Sequence, residues 1–447
     1  MIPSLRYWLH RRRFPIRYAQ LDELLRNQAM SREALQRKQR HDLAELVVFA
    51  ARNTAYYAEK LAPWLSHGES FALSDLPILR KDEVASRLDD LLARDADRGT
   101  VKIGHTGGST GKPLAFWYDD YKHELMRAGM MRGFMMSGWQ PGEKILNFWG
   151  ARQDVTAGGV FAAQYGAQLS DFIAAEKTLL AHEYSEARLH QWARRIQTWR
   201  PVLLYGYASA MSELARFVLA SKMPMPRSLR GVYCTAEVLA GWQRELIQRA
   251  FGCKVFNQYG CREVPNIAWE CQHGQMHVFA DLVTLESVPI EGEDRFLVTS
   301  LTNRLMPFIR YDIGDSGRLL DGECACGSPF PLMEMRLCRQ NDLIRSRDGK
   351  RFHPAYFNRL LYGMTQIKQY QWVQHDLDRI TLNIIASAPL SSETLVSLRE
   401  TLRRDIDAAL RFEVNVLDEI PRTASGKHRF VIGMAQTATP RADRVSR

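Results

Sequence analysis

The sequence predicts an α/β protein: a large multi-layer N-terminal domain with largely parallel sheets, followed by a small α+β C-terminal domain. Three observations carry that expectation. Between about 120 and 250, helical patterns alternate with short apolar runs, the mark of strand and helix layering. Near 338–342 the character of the chain changes, and a smaller set of alternating runs with a single helix follows. Ahead of the layered region lies a glycine-rich stretch, His105 to Pro113, set between apolar segments. At 447 residues, 46% hydrophobic and 25% charged, the chain is long enough for more than one core and is neither disordered nor fibrous in composition.

Taken in order, residues from about 20 to 62 read as helices, with Leu21, Leu24 and Leu25, then Leu43, Leu46, Val47 and Ala50, at three- and four-residue spacings. Leu73 to Leu79 is an extended piece that runs into a helix at Arg80-Lys81-Asp82-Glu83. Ala115-Phe116-Trp117-Tyr118 reads as the second strand of a hairpin. Strands are expected at Lys144–Trp149, Pro201–Gly206, Gly231–Glu237 and Lys254–Gly260, and ligands in such layers gather at the carboxyl ends of strands. Beyond the boundary come strands over 367–374, 380–385 and 412–417 and a helix over 391–411. Residues 436–447 read as a disordered tail, so the domains are 1–338 and 339–435.

The stretch Thr106, Gly107, Gly108, Ser109, Thr110, Gly111, Lys112 is built to hold an anion. Glycines turn consecutive N–H groups inward, the hydroxyls add donors, and the lysine adds a mobile charge. It is not the P-loop of kinases and ATPases, because Thr106 and Pro113 stand where that pattern needs glycine and Ser or Thr. A net charge of +10 and a pI near 9.3 suit an anionic partner, with no recognisable nucleic-acid module among the motifs. Part of the excess lies at the start, where Arg6, Arg11, Arg12, Arg13 and Arg17 alternate with Leu5, Tyr7, Trp8, Leu9, Phe14 and Ile16. Such a segment either lies on anionic lipid or packs on the body with its arginines in water. No secretory signal or membrane span is expected, and seven scattered cysteines suit a reducing, cytoplasmic compartment.

Cys271 and His277, with Cys324 and Cys326 some fifty residues on, can close a tetrahedral zinc site of the structural kind. His273 is a rival ligand, and reduced buried cysteines without metal are the alternative. Cys234, Cys253, Cys261 and Cys338 have no metal-like spacing.

Thr-Gly-Gly-Ser-Thr-Gly-Lys-Pro at 106–113, Tyr259-Gly260-x-x-Glu263, Tyr311-Asp312-Ile313-Gly314-Asp315 and Pro421-Arg422-Thr423-Ala424-Ser425-Gly426-Lys427 occur in the order of the adenylate-forming ligases, which the chain resembles. Within that superfamily it resembles the phenylacetate-CoA ligase branch and its capsule-biosynthesis relatives, by compact length and by the cysteine cluster. The resemblance implies an enzyme that makes an acyl adenylate from ATP and a carboxylic acid, with Mg²⁺ as cofactor, and passes the acyl group to a thiol, most simply that of CoA. An amine acceptor, giving an amide, and a non-catalytic nucleotide- or lipid-binding relative are the alternatives.

Carried over residue by residue, the implied roles are as follows. The glycine-rich loop holds phosphate; the Tyr259 ring with Gly260, Ala236 and Glu237 lies against adenine; Glu263 helps bind magnesium; Asp315 takes both ribose hydroxyls; Arg339 faces ribose and phosphate. Lys427 bridges the acid and the α-phosphate, where an ammonium stabilises the charge that builds during attack. The small domain is expected to turn between half-reactions at Asn341, although Cys338 and Asn341 replace the glycine and hinge acid usual in relatives. A monomer or homodimer is expected.

Overall fold

The computed structural model describes residues 2–65, 72–105, 114–149, 173, 175–181, 184–236, 239, 241–290, 293–337, 344–352, 354–361, 364, 366–420 and 431–434. Apart from 184–186, the described residues up to Leu337 form one compact unit and those from Ile344 on form a second.

The first unit begins with helices Ile2–Arg13, Pro15–Gln28, Arg32–Asn53 and Ala55–Lys60. Ser31 starts the third by accepting a hydrogen bond from the Ala34 N–H at 3.2 Å. Thr54 ends it and caps the fourth through Tyr57 N–H at 3.1 Å, so one hydroxyl both stops and restarts the chain. Leu21, Leu24, Leu46, Val47 and Ala50 are buried, as their spacing predicts, and Leu25 and Leu43 are half-buried. A hairpin of β1 (Lys102–His105) and β2 (Ala115–Tyr118) pairs His105 with Ala115. Helix Asp120–Met135 follows, capped by Asp119.

The large sheet takes β3 (Ile145–Trp149), β4 (Glu176–Leu180), β5 (Leu203–Tyr207), β6 (Gly231–Thr235) and β7 (Lys254–Tyr259), all parallel, in the order 4-3-5-6-7. It continues past β7 with antiparallel strands β8 (Ala268–Glu270), β9 (Met276–Val278), β10 (Val283–Ile290), β11 (Glu293–Ser300), β12 (Tyr311–Leu320) and β13 (Leu332–Leu337), in the order 7-8-9-13-12-11-10. The α/β class is therefore as the sequence predicts, with the parallel block at the apolar runs of 144–260 and an antiparallel half added by 268–337.

Helix Asp120–Met135 lies against one face of this sheet. A Cβ on Gly133 would stand 2.2 Å from the Trp269 ring, so only glycine lets the helix sit flush there. Phe134 meets Tyr205, Tyr233 and Trp269 edge-on at 5.2–5.6 Å. Two residues before Phe134, Arg132 is fully buried. Its guanidinium makes two bonds to Asp281, at 2.7 and 2.9 Å, and one to the Leu24 carbonyl, while stacking 3.9 Å over Phe279. Asn27 donates to the same Asp281. Three distant segments are joined through one charged pair.

The second unit begins with the two-stranded β14 (Ile344–Arg345) and β15 (Arg351–Phe352) and a helix Pro354–Leu360. Its main sheet has β16 (Ile367–Asp376), β17 (Arg379–Ala386), β18 (Arg411–Val416) and β19 (Val431–Ile432) in the order 18-17-16-19, backed by helix Ser392–Asp405. That helix is shorter than the 391–411 predicted. Asp407 turns its carboxylate onto the Ala409 N–H at 2.8 Å, a local bond that competes with helix continuation and frees Arg411 to begin β18. Among the described residues no helix is long and apolar enough to cross a membrane.

Candidate active site

The parallel strands end at one edge of the sheet, and the last of them, β7, delivers Tyr259. Its hydroxyl donates to Asp315 Oδ2 at 3.1 Å, so a residue of one motif touches a residue of another 56 positions away. Gly260 follows because a Cβ there would stand 2.9 Å from the Asn266 backbone nitrogen, against the loop that folds back beneath it. On the neighbouring β6, Ala236 sits just beyond the strand with φ +65°. A non-glycine residue held in this region costs on the order of 1 kcal/mol or more and tends to mark a site rather than a connection.

Glu263 lies in the loop after Gly260 and is buried. Tyr311, also buried, donates its hydroxyl to Glu263 Oε1 at 2.8 Å, which sets the direction of the carboxylate. Burial, and then the neighbouring Glu263, push the Tyr311 phenol well above its usual pKa, so it is a donor at any working pH. The Glu263 carbonyl accepts from the half-buried Lys122 at 2.8 Å. Burial lowers that ammonium to about 8, with Glu263, Cys261 and Asp119 opposing the fall. Arg262 reaches across to the His105 carbonyl at 2.9 Å. His105 is the first residue of the glycine-rich stretch and the one member of it among the described residues, and this bond ties it to the residue beside Glu263.

Tyr259, Gly260, Glu263, Asp315 and Ala236 thus lie in the first unit on connected elements. Thr106, Gly107, Gly108, Ser109, Thr110, Gly111, Lys112, Glu237, Arg339, Asn341 and Lys427 lie outside the described residues. Three participants were not singled out from sequence. Tyr311 stands inside a motif read for its aspartate, Arg262 occupies an unspecified motif position, and Lys122 has only its place one turn into a helix capped by Asp119. Among the aromatics on and around the parallel strands, Phe134, Trp139 and Phe148 are core, with Phe148 packed on Trp192 on the other face. Trp149, Tyr205 and Tyr207 stack together near the carboxyl ends of β3 and β5, with ring centroids 5.1 to 5.7 Å apart.

The cysteine cluster is separate. Cys271 follows β8, His277 lies on β9, and Cys324 and Cys326 sit in the loop between β12 and β13. Their four ligand atoms lie within 4.8 Å of one another. Cys271 Sγ and Cys324 Sγ are 3.6 Å apart, and Cys326 Sγ is 3.3 Å from His277 Nε2. His277 Nδ1 lies 3.2 Å from the Phe330 carbonyl, which orients the ring with Nε2 toward the thiols. Burial lowers the pKa of this imidazole, favouring the neutral ring that a metal takes. His273 contributes its backbone N–H to Cys271 Sγ, and its ring is not among the four ligands. The separations suit a tetrahedral ion about 2.3 Å from each sulfur.

A family model described as the CapK C-terminal domain matches residues 344–434. The protein CapK of Staphylococcus aureus is 23% identical, covering 87% of each chain. A phenylacetate-coenzyme A ligase of Thermus thermophilus is 25% identical, covering 91% of this chain and 98% of its own. A crystal structure of 2-hydroxyisobutyryl-CoA ligase, in complex with 2-HIB-AMP and CoA in the thioesterification state, aligns over 91% of both chains at 18% identity and a TM-score of 0.59. With the motifs in family order and the two-unit fold, the chain is similar to the adenylate-forming ligases, in particular to CapK and the phenylacetate-CoA ligases.

Proposed function

We propose that the chain activates a carboxylic acid with ATP and transfers the acyl group to the thiol of coenzyme A. The observation that carries this reading is the convergence of Tyr259, Asp315 and Glu263 at one strand end, with Arg262 holding the start of the glycine-rich stretch beside them. The Thermus relative, named a phenylacetate-coenzyme A ligase, supports the thiol acceptor.

In the first half-reaction the carboxylate oxygen attacks the α-phosphorus of ATP and the bond to pyrophosphate breaks. In the second, the CoA sulfur attacks the acyl carbonyl and AMP leaves; adenylation is needed because a free carboxylate is a poor electrophile. Asp315 offers two carboxylate oxygens to the two ribose hydroxyls, and the Tyr259 ring lies against adenine between Ala236, Glu237 and Gly260. Thr106 to Lys112 cradle phosphate, and Arg339 meets the ribose and α-phosphate. Lys427 stabilises the charge that grows on the attacked phosphoryl group, and Asn341 stands at the hinge.

A buried carboxylate aimed by Tyr311 is a hard oxygen donor that fits Mg²⁺, and Glu263 would hold it. When bound, the ion neutralises the phosphates as pyrophosphate departs. Cys271, His277, Cys324 and Cys326 fit Zn²⁺, which would pin the β8–β9 turn to the loop before β13 without entering the chemistry. Replacing Cys271 by serine should then release about one equivalent of zinc per chain and lower thermal stability while leaving the acid preference unchanged. A purified protein with no zinc, and a variant of unchanged stability, would refute the assignment. A cytoplasmic location suits these free thiols.

The reading is tested by ATP–pyrophosphate exchange over a panel of aryl, short-chain and long-chain acids, followed by thioester formation with CoA. Exchange should depend on one acid class and fall about 10²–10³-fold in Lys427→Ala. Exchange without any CoA thioester would remove the thiol acceptor. No exchange with any acid, in a folded protein that binds ATP, would remove the ligase reading.

A further inference from the structure

The N-terminal helix takes no part in the site described above, yet its surface is unusual for this protein. The first 21 residues hold five arginines and no acid. In the helix Ile2–Arg13 and the residues just after it, Leu5 is 52% exposed, Trp8 49% and Ile16 55%, three of the large apolar side chains that the described surface leaves in water. Leu5, Trp8 and Arg12 follow three- and four-residue spacing, so they lie along one outer face. The Arg12 guanidinium sits 4.1 Å over the Trp8 ring, and Arg13 lies 5.6 Å from the Phe14 ring.

The opposite face is fastened to the body. His10 Nδ1 is 3.0 Å from the Tyr18 hydroxyl, and Tyr7 meets Tyr18 edge-on at 5.5 Å. Gly142, at φ +93°, presses so close that a Cβ there would stand 2.4 Å from the Pro3 carbonyl oxygen. Arg17 is drawn inward to Glu124 by two bonds of 2.9 Å, and Arg11 pairs with Asp22. The helix is held in place, and the face it shows to solvent is chosen.

More positive charge lies alongside. Burial, and then the charges of Arg6, Lys177 and Arg200, lower the pKa of Lys144, whose ammonium donates to the Trp199 carbonyl at 2.8 Å. Lys144 and Lys177 both lie within 6 Å of the Trp199 ring. A docked helix with exposed Leu and Trp, an exposed Ile at the start of the next helix, and cations around them, is the composition of an element that lies in the headgroup layer of a bilayer.

We propose that this face docks the enzyme on an anionic lipid bilayer, with Leu5, Trp8 and Ile16 entering the headgroup layer and Arg12 and Arg13, with Lys144 and Lys177 beside Trp199, meeting the lipid phosphates. Charge complementarity selects the partner, since neutral lipid would leave the cations unmatched. The placement would keep a carboxylic acid or its thioester close to the membrane.

The experiment is flotation of the full chain with vesicles of phosphatidylcholine alone or with about 30% phosphatidylglycerol, at low and high salt. The full chain should float with anionic vesicles only, and salt should release it. Arg12→Gln with Arg13→Gln should weaken binding about 25-fold, at roughly fivefold for each charge near the surface. Leu5→Ala with Trp8→Ala should weaken it several-fold at unchanged melting temperature, with ATP–pyrophosphate exchange in solution unaltered. Equal binding to neutral vesicles, no binding to either, or duplex DNA stripping the chain from vesicles at equal charge would overturn the proposal. So would a dimer in solution that Trp8→Glu dissociates, because the face would then belong to a second copy.

Discussion

Replacing Asp315 by alanine should reduce kcat/KM for ATP by about 10²–10³-fold. Two hydrogen bonds from neutral hydroxyls to a charged acceptor are worth ~1.5–2 kcal/mol each, and a carboxylate positioned by its own partners holds both at once. The Tyr259 hydroxyl is such a partner, at 3.1 Å from Oδ2. Tyr259→Phe keeps the ring and removes only that bond, so its loss should be about tenfold, carried mainly in the KM for ATP. Asp315→Asn, which keeps one acceptor oxygen, should fall between. An Asp315→Ala enzyme with an unchanged KM for ATP and unchanged exchange would place the ribose elsewhere and dissolve the nucleotide site as drawn.

The second large effect concerns stability. Arg132→Met leaves Asp281 as a buried carboxylate supported by Asn27 alone among the partners described here, and breaking a buried pair in this way costs about 3–5 kcal/mol. Arg132→Lys should recover little of it, because one ammonium cannot reproduce two bonds to Asp281, one to the Leu24 carbonyl and the stacking over Phe279. The double variant Arg132→Met with Asp281→Leu should be less destabilised than Arg132→Met, since no charge is then left without its partner. Denaturant midpoints for the three chains measure this. A single variant as stable as the parent would mean that the pair contributes nothing, despite its burial.

Much of the fold was legible because it depends on local pattern. The parallel strands are short apolar runs that end in small or polar residues, and the helices of the first 60 residues show plain three- and four-residue spacing. The order of the antiparallel half was not legible. No strand was expected over 268–337, and nothing in the local pattern says that β13 inserts between β12 and β9, a pairing that joins His277 to Leu332 across 55 residues. The same limit applies to charge. Arg132 and Asp281 look like surface residues in sequence, and only the tertiary arrangement buries both.

At the site, the motif residues were legible and their supports were not. Tyr259, Glu263 and Asp315 were singled out by the motifs that carry the resemblance to the adenylate-forming ligases, and the cysteine and histidine cluster by its thiols and imidazole. Lys122, Arg262 and Tyr311 hold the loop around Glu263 through single bonds to a backbone carbonyl or a carboxylate. Contacts of this kind leave no periodicity and need no fixed spacing. His277 was read as the ligand with His273 as its rival, and the ring that lies among the thiols is that of His277, beyond the turn at Gly274 with its φ of +77°.

The strand that carries Tyr259 has different neighbours on its two edges. Toward β6 its hydrogen bonds are slanted and evenly spaced, while toward β8 they run perpendicular in alternating narrow and wide pairs. Sliding β7 lengthwise by one residue would have to satisfy both patterns together, and no single shift does. The aromatic ring therefore gets its height above the sheet from two unlike rulers laid on either side of it, which makes its placement a property of the scaffold and leaves the surrounding loops free to change with the acid.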